Sequence, residues 1–440
     1  VAETLVVGRE EKGALERLLA PFADVRAGEA GTALLSLLSL FLLMVGYYVA
    51  KTVREPLILA TGGAELKSYA AAAQAVALMG FIPLYGWLAS RVDRMRLIVA
   101  LVVFFVVCLE LFFLGGRLRV PNLGFVFYVW VGIFSLASVA QFWSFANDIY
   151  SQEAGERLFA LIGVGMTGGS WAGSKLAEEL FERYVSPYAM MQITVALLVV
   201  HLGLYLLVHR RVGARGRSEQ AQASLGGPGG FALVFRSPYL LLVGALLILL
   251  NIVNTTGEYI IGRSVVMAAD AAGAADPGLD REAFIGAFYG NYFFWVNLTA
   301  VVLQAFLTSR LVRLFGLGGV LLALPLVALS AYSLVAAGVA FAAVRWAKTA
   351  ENATDYSVMN TARQMLWLPT SREEKYKAKQ TLDTFFVRAG DVLSAALVFA
   401  GTHGLALSIQ GFARVNVALG LVWLLLGVLV LRRYRVLSAQ

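Results

Sequence analysis

Twelve apolar stretches, each close to the length that crosses a bilayer, run through this 440-residue chain, and several carry ionisable side chains well inside the apolar run. About twenty apolar residues wound as a helix span the hydrocarbon core, and only a helix or a closed barrel satisfies its own backbone there. By that rule the sequence predicts spans at 33–60, 68–90, 97–116, 122–149, 157–181 and 186–208. A second set follows at 238–262, 284–308, 317–336, 338–366, 381–402 and 410–431. The expected fold class is all-α and polytopic. Composition agrees, at 59% hydrophobic and 15% charged residues, against about 45–50% and 25% for soluble domains.

The distribution of basic residues orients the spans. With the N-terminus inside, alternate loops and both tails hold 22 Lys and Arg. The opposite loops hold six: Lys67, Arg117, Arg119, Arg183, Arg263 and Arg281. This is a positive-inside pattern with both termini cytoplasmic, as expected for a bacterial inner membrane protein. The same placement argues against nucleic acid as the partner of the +8 net charge, since the basic residues sit in short loops between apolar runs. No short apolar core with a small-residue cleavage site precedes the first span, so a cleaved signal peptide is not expected. One cysteine and three scattered histidines offer no disulfide framework and no metal site, and no cofactor is expected.

The chain divides into residues 1–32, a six-span half at 33–209, a linker at 210–237, a second six-span half at 238–431 and a tail at 432–440. The linker begins RRVGARGRSEQAQASLGGPGG, basic and then Gly/Ser-rich, which predicts a flexible cytoplasmic connection. WLASRVDR (Trp87–Arg94) returns 219 residues later as FLTSRLVR (Phe306–Arg313), matching at four of eight positions, which points to an internal duplication. In the first segment Leu15, Leu18, Leu19 and Phe22 recur at helical spacing opposite Glu11, Lys12, Glu16 and Arg17. That spacing predicts an amphipathic helix on the inner membrane surface, in contact with lipid. Gly163, Gly165 and Gly168 form G-x-G-x-x-G, but without a preceding strand this is helix packing and no dinucleotide site.

Ionisable groups at bilayer depth cost about 2.5 kcal/mol or more unless paired or wet, so each is a candidate site. In the first span Lys51, Arg54 and Glu55 share one face, with Tyr47 and Tyr48 a turn earlier. A Lys51–Glu55 pair would still leave Arg54 in excess. In the tenth span Arg345, Lys348, Asn352 and Asp355 form a stripe flanked by Glu351 and Tyr356. The stripe either faces an aqueous cavity or closes on itself as ion pairs. The seventh span places Asn254 and Glu258 on one face, the acid without a basic neighbour in its own turn. It is free to carry a proton or to meet a distant lysine. Trp143, Asn147 and Asp148 end the fourth span, and Lys379, Asp383, Arg388 and Asp391 mark the eleventh.

Two six-span halves with the basic loop GWLASRVDRMR (Gly86–Arg96) resemble the major facilitator superfamily. KTVREPL (Lys51–Leu57), FWSFANDI (Phe142–Ile149) and the stretch from Tyr356 through LWLPTSREEKYKAKQTLD to Asp383 resemble the nucleotide transporter family of plastids and intracellular bacteria, the ATP/ADP exchangers. The resemblance implies functional roles for Lys51, Glu258 and Lys379. A further family acid would fall near Val131, where this chain has no carboxylate. The expected function is secondary transport of an organic anion, a nucleotide or related phosphorylated metabolite, and no enzymatic activity. Lys51, Arg54, Arg345, Lys348 and Arg388 would meet phosphate, and Tyr47, Tyr48 or Trp143 a base. Glu55, Asp148, Glu258, Glu351, Asp355 and Asp391 are the candidates for coupling or gating. The alternatives are a proton-coupled carrier or lipid flippase and, from another class, a membrane-embedded enzyme or sensor.

Overall fold

A computed structural model describes residues 13–19, 23–212 and 229–438. The described residues are helical almost throughout, and eight of the helices are long and apolar enough to cross a membrane. Two of these eight are double. Ala30–Ala89 breaks at Gly63 (φ 65°) and Arg281–Ala336 breaks at Gly316 (φ 59°), both in the left-handed region that only glycine enters without strain. Divided there, the long helices are α1 (30–62), α2 (64–89), α3 (Arg94–Arg117), α4 (Leu123–Ile149), α5 (Gln152–Glu182) and α6 (Pro187–Val212). They continue as α7 (Pro238–Ala275), α8 (281–315), α9 (317–336), α10 (341–365), α11 (Glu374–Gly404) and α12 (Ile409–Ser438). The helices α5 and α10 are too polar to pass as spans by hydropathy alone.

Local chemistry sets the helix starts. Asp93 accepts from the amides of Met95 (3.1 Å) and Arg96 (3.2 Å), Ser151 from Ala154, Ser237 from Leu240 and Asp280 from Ala283. The duplicated motif shows what such a cap decides. Asp93 stops α2 from running into α3, whereas its counterpart in the second copy is Val312, which cannot cap, and α8 stays helical to Gly316. The expected loop around 61–67 does not exist. The helix resumes directly after Gly63, and Lys67, predicted in an outer loop, is 3% exposed inside the bundle. Similarly, α11 begins near Glu374, so Lys379 lies within a helix and not before one.

Glycine permits the closest approaches. Gly165, Gly169 and Gly173 lay α5 against α1, where an added Cβ would meet the carbonyl oxygens of Leu37, Phe41 and Val45 at 2.4, 2.4 and 2.7 Å. Between the halves, Gly290 of α8 meets the backbone of Glu178 in the same way. Of the first segment, Ala14–Leu19 is a short helix. Glu16 is buried, accepting from the Gly28 amide at 3.2 Å, while Leu15 is 49% exposed. Glu11, Lys12, Phe22 and the Leu18 side chain lie outside the described residues, as does the linker from 213 to 228. The flanks of that linker are helical, α6 reaching Val212 and Gly230–Arg236 forming a short helix.

Counted through the twelve helices, the start of α1 at Ala30 and the end of α12 at Ser438 fall on one face, here called proximal, and the Gly63 break falls on the opposite, distal face. From the middle of the molecule to the distal face, polar contacts tie the halves. The Tyr48 hydroxyl donates to Asn297 (3.0 Å), Asn291 to the Glu178 carboxylate (2.6 Å) and Arg281 to the Ala60 carbonyl (2.6 Å). Towards the proximal face α5 and α8 part around a cleft of about 500 Å³ lined by Gly163, Val164, Thr167, Trp171, Leu298 and Val301.

Candidate functional site

Lys51 lies about two thirds of the way along α1 and is 8% exposed. Its ammonium sits over aromatic rings, 4.2 Å from the centroid of Phe293, 4.9 Å from Tyr48 and 5.9 Å from Tyr356. Among the described residues it has no carboxylate within ion-pair distance, and the Lys51–Glu55 pair does not form. Ring faces compensate an ammonium only partly, by about 0.5–2 kcal/mol each. Tyr356 as a residue is 42% exposed, so this side of the cage is open.

One turn further along α1, Arg54 donates to Glu55 from Nη2 (2.9 Å) and stacks its guanidinium over Tyr128 at 4.1 Å. Glu55 is fully buried, and its second oxygen meets Lys67 Nζ at 2.7 Å. Lys67 in turn lies 3.4 Å from Glu258 of α7 and 3.2 Å from the Tyr289 hydroxyl of α8. Glu258 therefore has basic partners from a distance, Lys67 and Lys348 (3.8 Å), and it accepts from Asn352 at 2.9 Å. Lys348 closes the chain by donating to Asn254 Oδ1 (2.6 Å) and Glu351 (3.1 Å), and Glu351 also accepts from the Tyr332 hydroxyl at 2.5 Å. Across this cluster four cations, Lys51, Arg54, Lys67 and Lys348, face three carboxylates, Glu55, Glu258 and Glu351.

The α10 stripe thus divides. Lys348, Glu351 and Asn352 belong to the cluster. Arg345 instead donates to Asn291, which hands the contact on to Glu178 of α5, and Asp355 pairs with Arg363 at 3.3 Å. Arg388 and Asp391 pair with each other at 3.1 Å, and Asp391 accepts from Thr255 at 2.9 Å. Lys379 donates to Gln364 at 2.8 Å. Tyr47 packs edge-on to Tyr48. Trp143, Asn147 and Asp148 end α4 proximally, about 22 to 30 Å along the helix from Tyr128 at 1.5 Å per residue, and Trp143 packs on Phe142 and Phe159. The sequence reading missed Lys67, because its partners lie on other helices. It also missed Tyr289, Tyr292, Phe293 and Asn297, whose helical spacing on one polar–aromatic face of α8 was the available signal. Val131, at the place of the family acid, is fully buried.

No family model matches the chain. Over 345 residues it is 25% identical to ADP,ATP carrier protein 1 of Chlamydia trachomatis serovar D, the match covering 66% of this chain and 62% of the relative. The protein of the same name in Chlamydia muridarum is 24% identical over 322 residues, or 63% and 58% of the two chains. The chain thus spans less than two thirds of the length of the curated relatives it matches. In structure it is similar to the nucleoside transporter NupG, with a TM-score of 0.66 at 13% identity over 93% of this chain and 99% of that one. It is also similar to a bacterial homologue of the iron transporter ferroportin in an inward-facing state, with a TM-score of 0.64 at 13% identity over 91% and 98%. In fold the chain is an all-α membrane protein similar to these transporters, and in sequence it is similar to the Chlamydia ADP,ATP carriers.

Proposed function

We propose that this chain is a secondary carrier that exchanges nucleotides of the ADP and ATP kind by alternating access between its two six-helix halves, with both termini on the cytoplasmic face of a bacterial inner membrane. The observation that carries the reading is Lys51, a buried ammonium between the halves with aromatic rings for neighbours and no carboxylate, in a chain whose relatives are ADP,ATP carriers. An uncompensated cation in a water-poor site attracts an anion, and a phosphate oxygen supplies the charge-assisted hydrogen bond that the rings cannot. The exposed face of Tyr356 offers a base a stacking partner beside that phosphate. Lys348 and Arg54 already hold carboxylates, so they shape the electrostatic field around the phosphate more than they bind it.

Counterflow of labelled ADP against ATP in proteoliposomes tests the reading. The unmodified protein is expected to exchange the two, and Lys51→Ala to lose at least about ten-fold in exchange rate, the value of one charge-assisted contact. Lys51→Arg is expected to keep part of the rate. Exchange confined to non-nucleotide substrates tried in the same vesicles, or transport driven by a proton gradient alone, replaces this reading with a proton-coupled carrier or a flippase.

A further inference from the structure

Lys67 holds carboxylates from both halves of the molecule, Glu55 of α1 at 2.7 Å and Glu258 of α7 at 3.4 Å. Its ammonium is otherwise held by the Tyr289 hydroxyl and ring, also from the second half. Lys348, by contrast, pairs only within its own half, with Glu258 and Glu351. The two partners of Lys67 would part if the distal face opened. Glu55 would leave with Lys67, and Glu258 would stay with Lys348 and Asn352. The first half would then carry Lys51, Arg54 and Lys67 against the single carboxylate Glu55. The second half would carry Lys348 against Glu258 and Glu351. Opening therefore pulls a cationic wall away from an anionic one, which is costly unless something negative takes the place of Glu258 on Lys67. A phosphate held at Lys51 lies about one helical turn, roughly 6 Å, below Glu55 and Lys67, within reach of that exchange.

We propose that Lys67 is the tie that keeps the distal face shut, and that a polyanion bound at Lys51 releases it by replacing Glu258 as the partner of the Lys67 ammonium. The inference rests on the reading of the site as one for phosphate-bearing anions. It makes Lys67 an anion contact that appears only when the distal face opens.

Ala64, on the distal seam, supplies the reporter. It is 6% exposed, and its Cβ stands 3.4 Å from where a Cβ on Gly262 would be, so a cysteine there is covered until the seam parts. The experiment uses the full chain in detergent with Cys108→Ala and Ala64→Cys, and follows maleimide labelling with and without ADP or inorganic pyrophosphate. The parent is expected to label slowly alone and about ten-fold faster with the anion, a shift equivalent to one ion-pair contact. Lys67→Gln is expected to label fast without anion and not to respond to it, while Lys67→Arg behaves as the parent. Glu258→Gln, which removes the same contact from the other half and leaves Lys67 with Glu55, is also expected to label fast without anion. Slow labelling in Lys67→Gln or Glu258→Gln overturns the proposal, as does an undiminished anion response in Lys67→Gln, or a parent indifferent to both anions. A parent that answers pyrophosphate and ignores ADP leaves Lys67 in its role and removes the nucleotide reading.

Discussion

A buried charge is informative through its partners, and here the partners are what sequence spacing could not supply. Lys51 and Glu55 stand four residues apart on one helix, the spacing that ordinarily makes an ion pair, yet Glu55 turns to Arg54 and Lys67 and leaves Lys51 among rings. Glu258 had no basic residue in its own turn, and two lysines reach it from α2 and α10. Long-range pairing is set by how the helices stack, so the residues of the site were legible one by one while their connections were not. The same scale offers a test near the proximal surface. Arg157 donates two hydrogen bonds to Glu29, at 2.8 and 2.9 Å, and that contact holds the Glu29 carboxyl below the ordinary carboxylate range. A depressed carboxyl stabilises the fold at pH above its unfolded value of about 4.3, and the contribution disappears as pH falls through the lower folded value. Glu29→Gln is expected to cost about 1 kcal/mol at neutral pH. Thermal melts of the two proteins in detergent should converge as the pH drops below about 4, and a constant gap down to pH 3 would contradict the assignment.

At the scale of helices, the apolar runs located nearly every long element, since the bilayer demands length and apolarity from each. Two features escaped. The turns at Gly63 and Gly316 take one residue each, where the apolar runs implied loops at 61–67 and 309–316, and this misplaced Lys67 in a loop. The charges of α10 lowered its apolarity because they serve the cluster, so the segment that is hardest to recognise as a span carries Lys348, Glu351 and Asn352. The glycine-rich run of α5, by contrast, reads from sequence as helix packing, and Leu37 and Phe41 of α1 meet Gly165 and Gly169 there. A side chain at Gly169 would collide with the Phe41 carbonyl. Gly169→Val is expected to separate α5 from α1 and to destabilise the protein by about 2–3 kcal/mol, an overpacking cost. Gly163, with open space around its Cβ position, provides the control: Gly163→Ala should melt within a degree or two of the parent.

For the whole molecule, the ties between the halves are gathered from mid-membrane to the distal face, and the α5–α8 cleft lies on the other side. Under the proposed alternating access this asymmetry has to reverse. A covalent link across the distal seam should then arrest the cycle. The 3.4 Å between the Ala64 Cβ and a Cβ on Gly262 is just short of the separation that a disulfide adopts. Ala64→Cys with Gly262→Cys, on a Cys108→Ala background, is expected to abolish exchange after oxidation and to recover it on reduction. Exchange that continues in the oxidised, cross-linked protein would show that the distal seam is not a moving part.

Trp171 stands in that cleft with 42% of its surface uncovered, one ring from Phe294. If the halves rock, its indole passes from an open surrounding to a packed one, and its emission should move to shorter wavelength as they do. The molecule thereby contains its own optical gauge, with Trp171→Phe as the blank.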